Sequence, residues 1–579
     1  MGSFSDTEIA DGMRIDWDVP IVMNDGLVLR ADLFRPVDDE TYPVLLSYGP
    51  YGKGLSFQEG YASAWDIMVA DHPDVAAGSS NAYQNWEVAD PEKWVPHGYA
   101  CLRVDSRGAG RSPGVIDHFS ERETSDLYEC IEWAGLQPWS TGKVGLSGIS
   151  YYAINQWHVA ALQPPHLTCI CPWEGAADFY RDMSYHGGIY CTFFERWYEI
   201  QVTSVQHGRG ERGPTSRRTG QLVCGDETLS EEQLAARRVD FGAHLREHPL
   251  VDDYHRARSA DWSRIEVPLL SAGNWGGQGL HLRGNVEGFV QAASERKWLE
   301  LHGGEHWTEY YTDYGVGLQR QFFDHFLKGE DNGWDRRPPV LLQVRTVDGF
   351  VERAEEEWPL ARTLFLRYHL DAGDLSLERE PCQHEASRTY DAFGSGVTFT
   401  MAPFAEETEI TGPLSARLFV SSASTDADLF VTLRAFSPGG EEHLFLGAID
   451  PKAPVAQGWL RASHRSQVDG LDAPERPYHA HDEVDPLEPG KVVQLDVEIW
   501  PTSIVLPKGW HLAMTVAGQD YDHGQDGARL DHFANELRGC GPFIHPDRPA
   551  DEFGGPVTIH TGGDRASSLL LPVVPAHAD

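Results

Sequence analysis

Long apolar runs are missing from this 579-residue chain, and no stretch approaches the ~20 residues that a membrane-spanning helix needs. Cations are scarce beside anions: 47 Lys and Arg against 88 Asp and Glu leave a formal charge of −41. Nucleic acids and anionic membranes reward clustered Lys and Arg, so neither is expected as a partner. Cysteine is sparse as well. The eight residues, Cys101, Cys130, Cys169, Cys171, Cys191, Cys224, Cys382 and Cys540, are scattered, and several sit in apolar runs. They read as free thiols in a reduced compartment, not as a disulfide framework. Cys169 and Cys171 have one residue between them on a β-like run, which leaves no turn to fold both thiols around an ion. The opening Met1-Gly-Ser-Phe-Ser-Asp6 has no basic region followed by an apolar one, and Asp6 breaks the N-acylation pattern. These absences together predict a cytoplasmic protein.

What is present is an ordinary globular composition, 41% hydrophobic and 11% aromatic, in a chain long enough for two or three domains. Residues 13–35 alternate apolar and polar around Asn24-Asp25-Gly26, a hairpin signal. Strands are expected at 42–48, 99–105, 144–146, 166–172, 266–273 and 297–302. Helical spacing covers 121–136, the residues after 150, 284–294 and 314–327. Alternating strands and helices imply a parallel sheet covered on both faces. Residues 54–97 show no period and read as a long surface excursion. From about 175 to 262 the period changes and aromatics crowd the start, which suggests an inserted cap. After Arg337-Pro338-Pro339 the chain is all strand and turn, the texture of a β-sandwich or jelly roll.

The chemistry centres on Lys143-Val-Gly-Leu-Ser-Gly-Ile-Ser150-Tyr-Tyr-Ala153, an apolar strand run, a glycine turn and a helix start. That is the setting of a nucleophile elbow, which lifts a serine Oγ clear of the sheet and aims the following N–H at a developing oxyanion. Ser150 sits at the turn. Ser147 lies inside the strand and reads as a core serine. The usual glycine after the nucleophile is replaced by Tyr152. An acyl-transfer serine needs a base, expected in the loop after the last main strand. That loop holds His302-Gly303-Gly304-Glu305-His306, and His306 lies in its glycine-loosened part. The rival reading of His302-x-x-Glu305-His306 as an inverted zinc-protease motif needs one helix, which Gly303-Gly304 opposes.

Several motifs carry a family resemblance. They are Gly49-Pro-Tyr51-Gly-Lys53, Asp105-Ser-Arg107-Gly-Ala-Gly-Arg-Ser112, Gln137-Pro-Trp139, Gly148-Ile-Ser150-Tyr151, and Phe322-Phe-Asp-His-Phe-Leu-Lys-Gly329. In order and across nearly the whole chain, the sequence resembles the cocaine esterase / X-prolyl dipeptidyl aminopeptidase family, with the α-amino-acid ester hydrolases. The resemblance implies an α/β-hydrolase core at 1–173 and 263–336, a helical cap at 174–262 and a C-terminal all-β jelly roll at 337–579. It implies Ser150 as nucleophile, His306 as base, and an oxyanion hole from the Tyr51 hydroxyl and the Tyr151 N–H. One departure stands out: the family's acid follows the 266–273 strand, where this chain has Gly277. Three repairs stay open: Glu174 at the end of the preceding strand, Asn274 as a neutral orienter, or no third member. The expected function is a serine hydrolase cleaving a small-molecule ester or amide, with no cofactor and no metal. An X-prolyl dipeptidyl aminopeptidase is one alternative, and a non-catalytic hydrolase-fold binding protein the other. Oligomeric state stays open, a homo-oligomer included.

Overall fold

The computed structural model describes residues 7–575. Met1–Asp6, read above for a leader or an acyl anchor, lie outside the described residues. Seven strands come first: β1 (Thr7–Ala10), β2 (Met13–Val22), β3 (Val28–Pro36), β4 (Tyr42–Gly49), β5 (Ala100–Asp105), β6 (Ser140–Ile149) and β7 (Leu167–Trp173). A two-residue pair, β8 (Tyr185–His186) and β9 (Ile189–Tyr190), precedes β10 (Leu269–Asn274), β11 (Lys297–His302) and β12 (Val340–Thr346). Across the sheet the order runs β1-β2-β3-β5-β4-β6-β7-β10-β11-β12, and every pairing from β5 through β12 is parallel. The Asn24-Asp25-Gly26 turn closes the β2–β3 hairpin through the Met23 N–H, which reaches the Leu27 carbonyl at 2.8 Å.

Side chains alternate faces along a strand, so a sheet covered on both sides needs two apolar sets. One face carries Val44, Leu46, Leu102, Val144, Leu146 and Ile170; the other carries Leu45, Cys101, Cys169, Cys171 and Leu270. Cys169 and Cys171 are therefore two buried free thiols on one core face. Full burial of each Val, Leu or Ile is worth roughly 1.5–3 kcal/mol, which makes the two faces the main stabilising mass of this half. The helix Glu121–Gly135 shows how the covering helices dock. Ser120 caps it by accepting the Glu123 N–H, and Leu127, Ile131 and Ala134 form its buried stripe.

Two stretches differ from the sequence reading. Residues 54–97 carry the helices Phe57–Gly60 and Ala62–Asp71 and then turn inward, burying Phe57, Gln84, Trp86 and Glu87. Aromatics and a buried arginine hold this return, a pattern with no period to detect. Arg103 on β5 donates to the carbonyls of Tyr83 and Ala89, the latter at 2.6 Å. Between β7 and β10, beside the β8–β9 pair, the helical turns are short, such as Phe179–Ser184, Phe193–Trp197 and Phe241–Glu247, and pack through their aromatics.

Beyond β12 nine strands close a circuit, Thr408–Ser422, Ser568–Val574, Leu364–Asp371, Ser376–Glu378, Val397–Met401, His511–Ala517, Asp428–Phe436, Ala456–Arg461 and Val493–Leu506, the last returning to the first. All these ladders but Ser376–Glu378 with Val397–Met401 are antiparallel. The circuit encloses its own aliphatic core, including Leu418, Leu429, Val497 and Met514. Among the described residues no helix is long and apolar enough to cross a membrane.

Candidate active site

Four loops meet at the carboxyl ends of the parallel strands, where a sheet of this kind offers a crevice. Ser150 follows β6 and holds φ 55°, ψ −114°, a conformation that costs a non-glycine residue energy and signals an over-determined site. Its N–H points back to the carbonyls of Trp173 (3.1 Å) and Glu174 (3.2 Å), and its own carbonyl accepts from Ala153 and Ile154. Gly148 makes the turn sterically feasible: it holds φ 152°, and a Cβ there would lie 2.3 Å from the Tyr152 Cβ. Tyr152, in place of the usual glycine, is accommodated from the neighbouring strand. A Cβ on Gly49 would fall 2.6 Å from its ring. Ser147 is buried and bonds the Tyr310 hydroxyl at 2.7 Å, as a core serine should.

His306 lies in the loop after β11. No helix forms over 302–306, so the inverted zinc motif has no scaffold. Its Nδ1 meets Glu174 Oε2 at 2.6 Å, and its Nε2 meets Glu87 Oε1 at 3.0 Å. Glu174 is fully buried at φ 49°, with its other oxygen 3.0 Å from His302 Nε2. His302 in turn engages Glu300 at 2.6 Å. Asn274 reaches Glu174 Oε1 at 3.3 Å and the Gly304 carbonyl at 2.8 Å, bracing the carboxylate and the loop without touching the imidazole. The C-terminal domain contributes too, because the His306 N–H is held by the Ala448 carbonyl at 2.7 Å.

The electrostatics follow from this chain of contacts. Burial alone would lower the pKa of His306, but Glu174 and then Glu87 overcome it and lift the imidazole to about 9. Burial would raise Glu174, yet His306 and His302 hold it down at about 2. Glu87 faces only one cation, so burial wins and pushes it up to about 7. His302 is raised well above its ordinary value; burial opposes this, and Glu300 and Glu174 outweigh it. Neutral His281 stacks on His306 with ring centroids 4.9 Å apart.

Tyr51 leaves the end of β4 beside β6, is 5% exposed, and accepts a hydrogen bond from Trp197 Nε1 at 3.1 Å. Among the described residues its own hydroxyl proton has no acceptor. Burial above all keeps that phenol far above its ordinary pKa, so it stays a donor. Tyr151 opens the helix Tyr151–Ala160, so its N–H has no carbonyl inside the helix to pair with. Its phenol is committed elsewhere, to Glu123 Oε2 at 2.6 Å.

The structure thus brings Ser150, Glu174, His306, Tyr51 and Tyr151 to one end of the sheet. Ser150 Oγ makes no hydrogen bond among the described residues, and the His306 nitrogen a nucleophile would use is held by Glu87. Glu87 was missed in the sequence because its segment carries no periodicity. Its position is fixed from β6: the Ile149 N–H bonds the Glu87 carbonyl at 3.0 Å. A narrow cleft is lined by Phe193, Trp197, His532 and Phe533, and Trp197 also bonds the Tyr51 hydroxyl. A separate cavity of about 320 Å³, lined by Lys53, Tyr83, Arg103 and Arg217, includes none of Ser150, Glu174 or His306.

Known proteins share this arrangement of chain. Residues 25–308 match the profile of the X-Pro dipeptidyl-peptidase (S15 family), and residues 332–570 that of the X-Pro dipeptidyl-peptidase C-terminal non-catalytic domain. A CocE/NonD family hydrolase from Staphylococcus aureus is 31% identical with a TM-score of 0.84, covering 99% of this chain and 97% of that one. Cocaine esterase from a Rhodococcus species is 23% identical over 627 residues, 96% of this chain and 98% of its own. An α-amino acid ester hydrolase shares the fold, with a TM-score of 0.65 at 16% identity over 98% of each chain. The chain belongs to the family of X-Pro dipeptidyl-peptidases and CocE/NonD hydrolases, has a hydrolase fold with a C-terminal domain, and is an enzyme, a serine hydrolase.

Proposed function

We propose that the enzyme cleaves carboxylic esters of apolar acids through an acyl-enzyme on Ser150, with His306 as base and Glu174 as the acid that orients it. The observation that carries this reading is the 2.6 Å contact between Glu174 and His306 Nδ1, a carboxylate where the usual position offers only Gly277. Such a carboxylate fixes the imidazole's tautomer and stabilises the imidazolium that forms. Ser150 Oγ attacks the ester carbon and passes its proton to His306 Nε2. The tetrahedral oxyanion is held by the Tyr51 hydroxyl and the Tyr151 N–H. Collapse expels the alcohol, which takes that proton; water then repeats the sequence, regenerating Ser150 and releasing the acid. In the resting site Glu87 occupies Nε2, so it must yield that nitrogen to the serine.

The aromatic wall of Tyr51, Tyr61, Trp197 and Phe193 favours an apolar substrate. An X-prolyl peptidase needs a carboxylate to anchor the substrate ammonium, and the buried carboxylates at this site, Glu87 and Glu174, are both engaged by His306. We assign residues 174–262 to a helical cap, 1–173 and 263–336 to the catalytic core, and 337–579 to a jelly roll, in a cytoplasmic protein. The test is labelling with a fluorophosphonate, alongside turnover of short p-nitrophenyl esters. Stoichiometric labelling that Ser150→Ala abolishes, together with ester turnover, is expected. An unlabelled wild-type enzyme would remove Ser150 from the mechanism.

A further inference from the structure

Between β7 and β10, β8 and β9 form a tight hairpin that presents His186 before its turn and Cys191 just past the end of β9. The Gly187-Gly188 turn holds φ 55° and 89°, and a Cβ on Gly187 would sit 2.0 Å from the Trp459 carbonyl oxygen. The hairpin is therefore pressed onto the C-terminal domain, where the Gly187 carbonyl also accepts the Arg461 N–H at 2.8 Å. His545 approaches from that domain, and Thr192 holds its loop by donating both its N–H and its hydroxyl to the Ile544 carbonyl. One donor atom from each of His186, Cys191 and His545 lies within 4.8 Å of the others, and all three residues are buried.

The tautomers matter here. His545 Nδ1 faces Asp520 Oδ1 at 2.7 Å, and the same carboxylate takes the His545 backbone N–H at 2.8 Å. The Nδ1 proton belongs there, which leaves Nε2 with a lone pair. His186 Nε2 faces the Asp182 carbonyl at 3.3 Å, and when it donates there its Nδ1 is left with a lone pair. Those two lone-pair nitrogens face each other at 2.7 Å. Two acceptors at that separation repel unless a cation sits between them. Rings of Trp459, Trp500 and Phe430 wall the pair, so water has little access to relieve it.

We propose that His186 Nδ1, His545 Nε2 and the Cys191 thiolate bind one divalent zinc-class ion, which ties the β8–β9 hairpin to the C-terminal domain. Two imidazoles and a thiolate are the donors such an ion selects, and a ligating histidine commonly donates its other N–H to a carboxylate, as His545 does to Asp520. With Zn–N bonds of about 2.0–2.1 Å, tetrahedral coordination sets the two nitrogens ~3.3 Å apart, so binding parts the rings by a fraction of an ångström. Neither sequence pair set aside above is used. The ligands come from segments more than 350 residues apart.

The test uses the full-length protein, stripped with a chelator, dialysed and titrated with Co²⁺, then separately with Zn²⁺. The expected result is uptake of roughly one equivalent, a thiolate-to-cobalt charge-transfer band, and a higher melting temperature with Zn²⁺. In Cys191→Ser, a near-isosteric change, the band and the thermal shift should disappear. No uptake by the wild-type chain would overturn the site in favour of a proton shared between the imidazoles. So would uptake with the same spectrum in Cys191→Ser and His186→Gln. The wild-type titration is decisive even if a variant fails to fold.

Discussion

Two of the buried histidine clusters among the described residues are built on opposite electrostatic plans. Around His306 and His302, all four ring nitrogens meet a carboxylate: Glu174 and Glu87 for one, Glu300 and Glu174 for the other. Around His186 and His545, one nitrogen meets a carboxylate, one a carbonyl, and the remaining two meet each other. Carboxylates hold protons on imidazole; facing lone pairs invite a different cation. On the two proposals above, the same side chain, equally buried, serves as a raised-pKa base in one place and as a ligand in the other. What separates them is the number of buried carboxylates within hydrogen-bond reach.

The largest expected effect comes from making the first cluster resemble the second. Glu174→Gln keeps the shape but removes the charge that opposes His306 and His302 at once. Turnover of p-nitrophenyl esters should fall by about 10³–10⁴-fold, the scale on which a triad loses its orienting carboxylate. The folded state should survive, because Asn274 and both histidines still offer hydrogen bonds. A rate within a few-fold of wild type would show that Glu174 braces the loop and nothing more. In the second cluster the matching change is Asp520→Asn. It should weaken Co²⁺ binding by about 10–100-fold, the usual cost of losing a carboxylate behind a ligating histidine. Ester turnover should be untouched, which measures how independent the two clusters are.

How far each cluster can be read from sequence follows from the same contrast. The elbow is legible because strand run, glycine and serine are contiguous, and His306 because a loop after the last core strand is a definite place. Glu174 was one of three repairs the sequence left open once the resemblance put Gly277 where the family's acid stands; β7 lies beside β10 in a parallel sheet, which makes its end a neighbouring source of a carboxylate. Glu87 was not reachable. It lies in an aperiodic segment whose inward course depends on Arg103 gripping two carbonyls, and tertiary capture of that kind leaves no trace in spacing. The alternation of strands and covering helices in the core was legible from periodicity, and the strand content of the C-terminal half from its texture. The closure of those strands into one circuit was not, because pairing between strands distant in sequence is set by packing. The lone-pair contact of His186 and His545 lies in the same class, with partners from two domains and no motif to announce them.

A smaller and more specific effect belongs to Glu87. As a base, His306 must be neutral with Nε2 open, yet Glu87 stabilises the imidazolium and occupies that nitrogen. With His306 lifted to about 9, kcat/KM should climb with pH through the neutral range toward that value. Glu87→Gln removes one of the two charges that raise the imidazole, so its pKa falls and the rising limb should move to lower pH, on the order of one unit. Activity near neutrality should therefore increase, the opposite of what losing a catalytic carboxylate would do. Stability has its own pH dependence. A histidine raised in the folded state stabilises fully below its unfolded value of 6.5 and loses that contribution as pH rises through about 9. Glu87, raised from 4.5 to about 7 chiefly by burial, likewise withdraws stability from the wild type as pH climbs through that interval, so Glu87→Gln should match wild type at acid pH and melt higher above pH 7. A pH–rate profile and melting curves across that range check both signs. A Glu87→Gln enzyme that loses turnover at every pH would instead place this carboxylate among the groups that act on the substrate.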